Sequence, residues 1–412
     1  MTVSARVADA ARAPAAVLLA PATIRERSRN ILAAVAAGKS RHFRVDRVRL
    51  EHAAALVEAA TRRRSPDLRV PYHSRWRHFE AGGVDRAAEL ARALAGCDAA
   101  ACARARIDLA VVSVLLDAGA GPAWSYREAA TGERYTRSEG LGVASFRAFM
   151  AGTFSARPGE PWRVDARALA RVDDAKLAKV FQVDNDNRLV GLDGRAALLR
   201  RLGDALAAQR SVFGDHGRPG ALYDLMEAQS GTTVPVPALL RALLEGLGPI
   251  WPSGNALDGA ALGDAWRHAH AGGAGPTAGW VPFHKLSQWL AYSLFEPFEW
   301  AGRVVEERDA LTGLPEYRNG GLLLDAGVLA LADASAARKI HEVGSELVVE
   351  WRALTVALMD ELAPRVRARL GVPELPLACV LEGGTWAAGR ELAQSLRDGE
   401  PPLLVRSDGT VF

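Results

Sequence analysis

Eleven consecutive residues, Gly279-Trp280-Val281-Pro282-Phe283-His284-Lys285-Leu286-Ser287-Gln288-Trp289, bring together a histidine, a lysine, a serine, a glutamine and two tryptophans. With a helix starting at Phe283, His284 and Gln288 stand four apart on one face and Lys285 and Trp289 share the next. On such a face His284 could donate to a leaving group or orient a water. Lys285, near a helix N-terminus, could hold phosphate beside free backbone N–H groups. An amphipathic helix with solvated polar residues explains the same pattern about as well. Lysine is scarce, with only Lys39, Lys176, Lys179, Lys285 and Lys339 among 51 basic residues. Positions that keep it are enriched for roles needing a compact, titratable amine, which arginine cannot supply.

Further along, Thr312-Gly313-Leu314-Pro315-Glu316-Tyr317-Arg318-Asn319-Gly320-Gly321 reads as a loop by its Gly and Pro, and it carries several side chains suited to a polar ligand. Asp325 follows the apolar Leu322-Leu323-Leu324; it reads as a carboxylate on a buried element or as the N-cap of a short helix. Leu381-Glu382-Gly383-Gly384-Thr385-Trp386-Ala387-Ala388-Gly389-Arg390 places an acid before a Gly-Gly turn that opens a helix, with Thr385 as its cap. That arrangement suits an anion or a sugar hydroxyl, and a structural turn is the simpler account. Other motifs fail on spacing. His268 and His270 lie in a Gly-rich stretch without a third ligand at metal spacing. Asp184-Asn185-Asp186-Asn187 lacks the glycine and distal glutamate of a calcium loop. GxSxG, GxGxxG and Walker patterns do not occur.

The elements that must position these residues are helical. Apolar spacing of three and four predicts helices over Pro21 to Ala37, Val48 to Arg63, Asp98 to about Ala118, Val143 to Phe154, Ala166 to Val172, Asp174 to Phe181, Asp193 to Gln209, Ala221 to Gln229, Val236 to Leu247 and Phe283 to Phe295. A long one spans Ala334 to Leu370, with a break expected at Pro364. Arg41 to Asp46 reads as a strand, His268 to Pro276 as a mobile surface loop, and Ser407-Asp408-Gly409 as a hairpin turn. The expected class is mainly α with a minor β component. We expect residues 1–20 to form a tail or first helix and 21–412 one large domain, with subdomains at 21–160 and 161–412. Hydrophobic residues at 49% and charged residues at 24% are ordinary globular values. The formal charge of +3 gives no reason to expect nucleic acid. Three cysteines, odd in number and without CxxC spacing, fit a reduced, cytoplasmic compartment, and no membrane span or cofactor motif is present.

Trp280-Val281-Pro282-Phe283-His284-Lys285-Leu286-Ser287-Gln288-Trp289-Leu290, the Glu316-Tyr317-Arg318-Asn319-Gly320-Gly321 segment and Glu382-Gly383-Gly384-Thr385-Trp386 resemble the uracil catabolism protein 4 family over nearly the whole chain. That resemblance implies a role in recovering nitrogen from uracil through a ring-opened, ribosylurea-type intermediate. Gly344-Ser345-Glu346-Leu347-Val348-Val349-Glu350-Trp351-Arg352-Ala353-Leu354-Thr355 is similar, more remotely, to a helix of the queuosine-nucleotide N-glycosylase family. His284-Lys285-Leu286-Ser287-Gln288 falls where that family has YRVPQ, and Leu262-Gly263-Asp264-Ala265-Trp266 resembles its ligand-binding aspartate ahead of a tryptophan. The implied fold is helical and related to DNA glycosylases. The acid preceding YRVPQ is Phe283 here, so that carboxylate does not carry over.

The expected reaction is hydrolysis of an N-ribosidic bond in a small nucleoside- or nucleotide-derived substrate. The spacing to the Gly344 helix is longer than in the queuosine-nucleotide N-glycosylase family, so the segment carrying Glu316 and Asp325 reads as inserted. The carboxylate would be Asp264 first, otherwise Glu316 or Asp325 from the inserted segment, with His284 or Glu316 protonating or hydrogen-bonding the urea. Trp124, Tyr126 and Trp266 would wall the pocket, and Gln288, Asn319 and Glu382 would contact substrate. Lys285, Arg318 or Arg390 would hold phosphate. Ureido hydrolysis of the same intermediate, or binding without turnover, are the alternatives.

Overall fold

A computed structural model of the chain describes residues 14–117, 119–251 and 253–406. Its most buried long helix is Glu346–Leu370, flanked by Pro21–Ala36 and Leu50–Arg64 and meeting Tyr317–Asp325 near its N-terminal half. A second layer is built on Ala99–Leu115, whose run Ile107 to Leu115, apolar but for Asp108 and Ser113, is buried on all sides. It packs against Arg137–Met150, Ala221–Ser230 and Lys285–Glu299. Asp98 caps it as its sequence position requires, accepting the Ala101 N–H at 2.6 Å. The buried apolar side chains of both layers form one continuous cluster running from Ile24 to Leu403.

The class is mainly α with a minor β component, and among the described residues the strands pair only in twos. One pair matters for the site. Ala265–Arg267 runs antiparallel to Trp280–Pro282, with Ala265 opposite Pro282, so Asp264 arrives beside the start of the Lys285–Glu299 helix. The connection between these strands was expected to be a mobile loop, but it is tied down: His268 is buried against Glu350 and Asn30 donates to the Ala271 carbonyl.

Other expectations need correction. The Ala334 to Leu370 stretch is a short 3-10 turn, the strand Ile340–Glu342 and then the helix Glu346–Leu370, which continues through Pro364 without breaking. Ile340–Glu342 pairs in parallel with Leu404–Arg406; the turn expected at Ser407-Asp408-Gly409 lies outside the described residues. Of the loop expected from Thr312 to Gly321, residues 312–316 are irregular, but Tyr317–Asp325 is a helix. Glu316 is its N-cap, and Asp325, instead of capping anything, is its last residue. The Gly383-Gly384 pair opens no new helix either. It sits in a wide π-type turn, Leu381–Thr385, inside a helical run from Leu377 to Arg397. Gly384 is required there by packing, since a Cβ would come within 2.3 Å of Val57. Likewise a Cβ on Gly389 would lie 2.1 Å from the Arg318 carbonyl oxygen, so glycine alone lets the Tyr317–Asp325 and Trp386–Arg397 helices meet. No helix among the described residues is long and apolar enough to cross a membrane.

Candidate functional site

A cleft of about 540 Å³ opens between the two layers. Three helices begin on it: Arg137–Met150 with Arg137 and Ser138, Lys285–Glu299 with Lys285 and Leu286, and Tyr317–Asp325 with its cap Glu316, Tyr317 and Arg318. Two of these N-termini are already capped by carboxylates, the Lys285 N–H by Asp264 and the Arg318 and Asn319 N–H groups by Glu316, so it is chiefly side chains that face the space. Arg137, at a left-handed φ of 53°, lines the cleft with Lys285 and Arg318, and the acids Asp117, Glu316 and Glu400 line it too, so charges of both signs face the space. Burial, reinforced by the nearby Arg352, lowers the Lys285 ammonium below its usual range, while Glu316, Asp264 and Asp117 oppose that shift. The Arg318 guanidinium lies 4.0 Å from the Trp386 ring centre, and its Nε donates to the Tyr317 hydroxyl at 2.9 Å.

A second chamber of about 640 Å³ shares His73, His78 and Trp386 with the first and is lined further by Glu139, Glu382 and Arg390. At the junction His73 Nδ1 donates to Glu382 Oε2 at 2.7 Å. Burial opposes ionisation of Glu382, but this hydrogen bond and the neighbouring histidines hold it below its usual range. His73 Nε2 has no protein partner among the described residues, which leaves that nitrogen of an oriented imidazole to a ligand. His73 also lies against both Trp289 and Trp386, at centroid distances of 6.3 and 6.1 Å.

Of the sequence-derived candidates, the structure brings Lys285, Glu316 and Arg318 to the cleft, and Glu382 and Arg390 to the adjoining chamber. The others lie elsewhere. Asp264 is buried, its two oxygens gripped by Arg352 Nη1 and Nη2 at 2.7 Å each, and it also accepts from Trp266 Nε1 and the Lys285 N–H. Burial works against its ionisation, but Arg352 keeps its pKa lowered. Asp264 therefore caps the Lys285 helix from 21 residues upstream. His284 does not share a helical face with Gln288. It is the residue before the helix, at a left-handed φ of 47°, and its Nε2 donates to the Leu18 carbonyl. Gln288 is buried, exchanging hydrogen bonds with Thr312. Asn319 links Leu314 to Thr385, and Asp325 is ion-paired with Arg397. Trp124 donates to the Phe181 carbonyl, and Tyr126 is buried in a two-stranded pair opposite Tyr135. Trp266 packs on Gly344 and holds Asp264.

Sequence reasoning missed the segment His73-Ser74-Arg75-Trp76-Arg77-His78, which is as dense in polar and aromatic side chains as the 279–289 stretch. It also missed Asp117, whose carboxylate pairs with Arg75 at 2.8 Å and accepts from Ser138 Oγ. Beneath this segment Glu296 accepts from Ser74 Oγ and Arg77 Nη2. Burial pushes Glu296 up to about 7, assisted by Glu80 and Glu299 and opposed by Arg77 and Ser74. A carboxyl whose folded pKa is raised favours the folded state at low pH and loses that contribution as pH rises through 7. The shift from 4.5 to about 7 corresponds to about 3 kcal/mol. Urea melts of Glu296→Gln against the parent should show the variant gaining about that much relative stability between pH 4.5 and pH 8. A difference that is flat with pH would refute a protonated Glu296.

Among the described residues no three His, Cys, Asp or Glu side chains stand together as metal ligands. What the geometry defines is a helical protein with a cleft of metabolite size, walled by aromatic rings and lined by charges of both signs. The chain belongs to the family described as "Protein of unknown function (DUF1688)", whose model matches residues 17–412. It is 42% identical over 356 residues to "Protein urg3" of Schizosaccharomyces pombe, covering 83% of this chain and 84% of that protein. It is also 40% identical over 375 residues to "Uracil catabolism protein 4" of Lachancea kluyveri, covering 83% and 85%.

Proposed function

We propose that this protein acts in uracil catabolism by hydrolysing the N-ribosidic bond of a ring-opened uridine nucleotide such as ribosylurea phosphate. The C1′–N bond breaks, water oxygen bonds to C1′, and a proton passes to the departing nitrogen, giving urea and a ribose phosphate. One observation carries the reading: a cleft of metabolite size lined by Lys285, Arg318 and Glu316 together with His73, His78 and Trp289. The names of the relatives from Schizosaccharomyces pombe and Lachancea kluyveri supply the pathway. Phosphate sits at Lys285 and Arg318. The oxocarbenium-like charge at C1′ is met by Glu316, the carboxylate of the inserted segment that reaches the cleft. His73, oriented by Glu382, returns the proton to the leaving nitrogen.

A specific observation favours a second reading, binding without turnover. Glu316, Asp117 and Glu382 already engage backbone, Arg75 and His73 respectively, so none is an uncommitted base. Incubation with ribosylurea phosphate separates the cases. Urea and ribose phosphate appear on glycosidic hydrolysis, ammonia on ureido hydrolysis, and saturable binding with no product on the second reading. Within the hydrolase reading, Arg318→Met should raise KM for the phosphorylated substrate by roughly 10- to 100-fold, the value of a lost charge-assisted contact, and leave that for unphosphorylated ribosylurea unchanged. Equal losses on both substrates would remove Arg318 from the phosphate.

A further inference from the structure

Three polar atoms near one wall of the cleft are buried without a hydrogen-bond partner among the described residues: Trp289 Nε1, His78 Nδ1 and Arg75 Nη2. The groups adjoin. The His78 ring stands edge-on to Trp289 at a centroid distance of 5.7 Å, and the Arg75 guanidinium carbon lies 5.7 Å from the centre of that same indole. Trp289 is 7% exposed and Arg75 is fully buried. Trp289 and His78 line the cleft directly, and Arg75 backs it through Asp117, another lining residue. The remaining nitrogens of Arg75 are spoken for: Nε donates to Ser113 Oγ and Nη1 pairs with Asp117. Each unmet buried donor or acceptor costs about 1–3 kcal/mol, and folded proteins keep few of them. Three lie together here, and two of them belong to residues that line the cleft, where a ligand can complete them.

The chemistry of the three atoms narrows the ligand. Indole and guanidinium nitrogens donate only. Burial, with Arg75 nearby, lowers His78 to about 3, so the ring is neutral and keeps a lone pair. With Nδ1 taken as the nitrogen that keeps the lone pair, the indole donor and the imidazole acceptor match a neutral planar group carrying a carbonyl oxygen flanked by N–H. A carboxylate would then face the histidine lone pair with nothing to donate, and an ammonium would face the indole donor.

The geometry points to a ureido-recognition subsite in which Trp289 Nε1–H donates to the ureido oxygen and His78 Nδ1 accepts from its N–H, with the buried Arg75 guanidinium behind the indole. It deepens the function proposed above, resting on that reading for the sugar phosphate that the ureido group is attached to, and it concerns binding alone.

The test uses two probes and isothermal titration calorimetry. One is carbocyclic ribosylurea 5-phosphate, in which methylene replaces the ring oxygen so that no oxocarbenium ion can form; the other is ribose 5-phosphate. The unmodified protein should bind the ureido probe at least roughly 10-fold more tightly. Trp289→Phe keeps the aromatic ring and removes the N–H; it should abolish most of that preference and leave ribose 5-phosphate binding as it was. His78→Phe, melting like the parent, should do the same. Equal affinity of the parent for both probes overturns the subsite, as does a loss shared equally by both probes in both variants. Failure to release urea from ribosylurea phosphate sinks the hydrolase reading instead, because the calorimetric result does not depend on turnover.

Discussion

Asp264→Asn is expected to destabilise the protein by about 3–5 kcal/mol, the cost of leaving one member of a buried ion pair without its partner. Arg352 has no exposed surface on its side chain and fastens three segments: both Nη atoms bind Asp264, Nε reaches the Pro315 carbonyl at 3.4 Å, and the guanidinium lies 4.2 Å from the Phe283 ring centre. These are the segments that end at Lys285 and Glu316, so the pair sets the cleft floor without lining it. A general base would behave differently, giving a variant that folds normally and loses turnover. Chemical denaturation of Asp264→Asn decides between the two. The double variant Asp264→Leu/Arg352→Met, which removes both charges, should recover a large part of the loss. An Asp264→Asn protein as stable as the parent would return Asp264 to consideration as the base. The depressed Asp264 pKa adds a pH signature. Its contribution is present at neutral pH and is lost as pH falls through the acid range, where Asp264→Asn and the parent should converge.

Much of the helical framework was readable from sequence because local signals and tertiary demands agree. Asp98 precedes an apolar run and caps it; Val236–Leu247 begins and ends where its apolar spacing does. The scarcity of lysine was informative at one position, since Lys285 lines the cleft, whereas Lys176 donates to the Thr153 carbonyl. The phase of the central motif was not readable. His284 takes a left-handed conformation that non-glycine residues rarely adopt, and it delays the helix to Lys285, so Gln288 turns inward to Thr312. Glutamate is an uncommon N-cap, which hid the Glu316 helix behind loop-like glycines; those glycines answer to packing, as Gly320 does against Trp351. The His73 to His78 segment has no apolar periodicity to mark it. Its meaning comes from partners hundreds of residues away, Glu382 at a separation of 309 and Glu296 at 222. Asp264 was legible as a residue of consequence but not as a structural one, because only Arg352, 88 residues on, shows what its charge is for.

Glu316→Gln carries the other large effect, a fall in kcat of roughly 100-fold or more with a stability loss of only about 1 kcal/mol. The two numbers separate because the residue has two jobs. As N-cap, Glu316 Oε1 accepts from the Asn319 N–H at 2.6 Å and Oε2 from the Arg318 N–H at 2.9 Å. Glutamine retains one acceptor oxygen, so much of the cap survives. What it cannot retain is the negative charge that Glu316 brings to the cleft beside Lys285 and Arg318. An oxocarbenium-like transition state develops positive charge at C1′, and a neutral amide there stabilises it far less than a carboxylate does. Lys285 reports the same change independently: Glu316 is among the groups that raise its pKa, so the variant should titrate the Lys285 amine at lower pH. Steady-state kinetics on ribosylurea phosphate, with a thermal melt alongside, measure both consequences. A variant that loses stability and activity in proportion assigns Glu316 to the cap alone. Unchanged kcat removes it from the chemistry and leaves Asp117, across the same cleft, as the carboxylate to test.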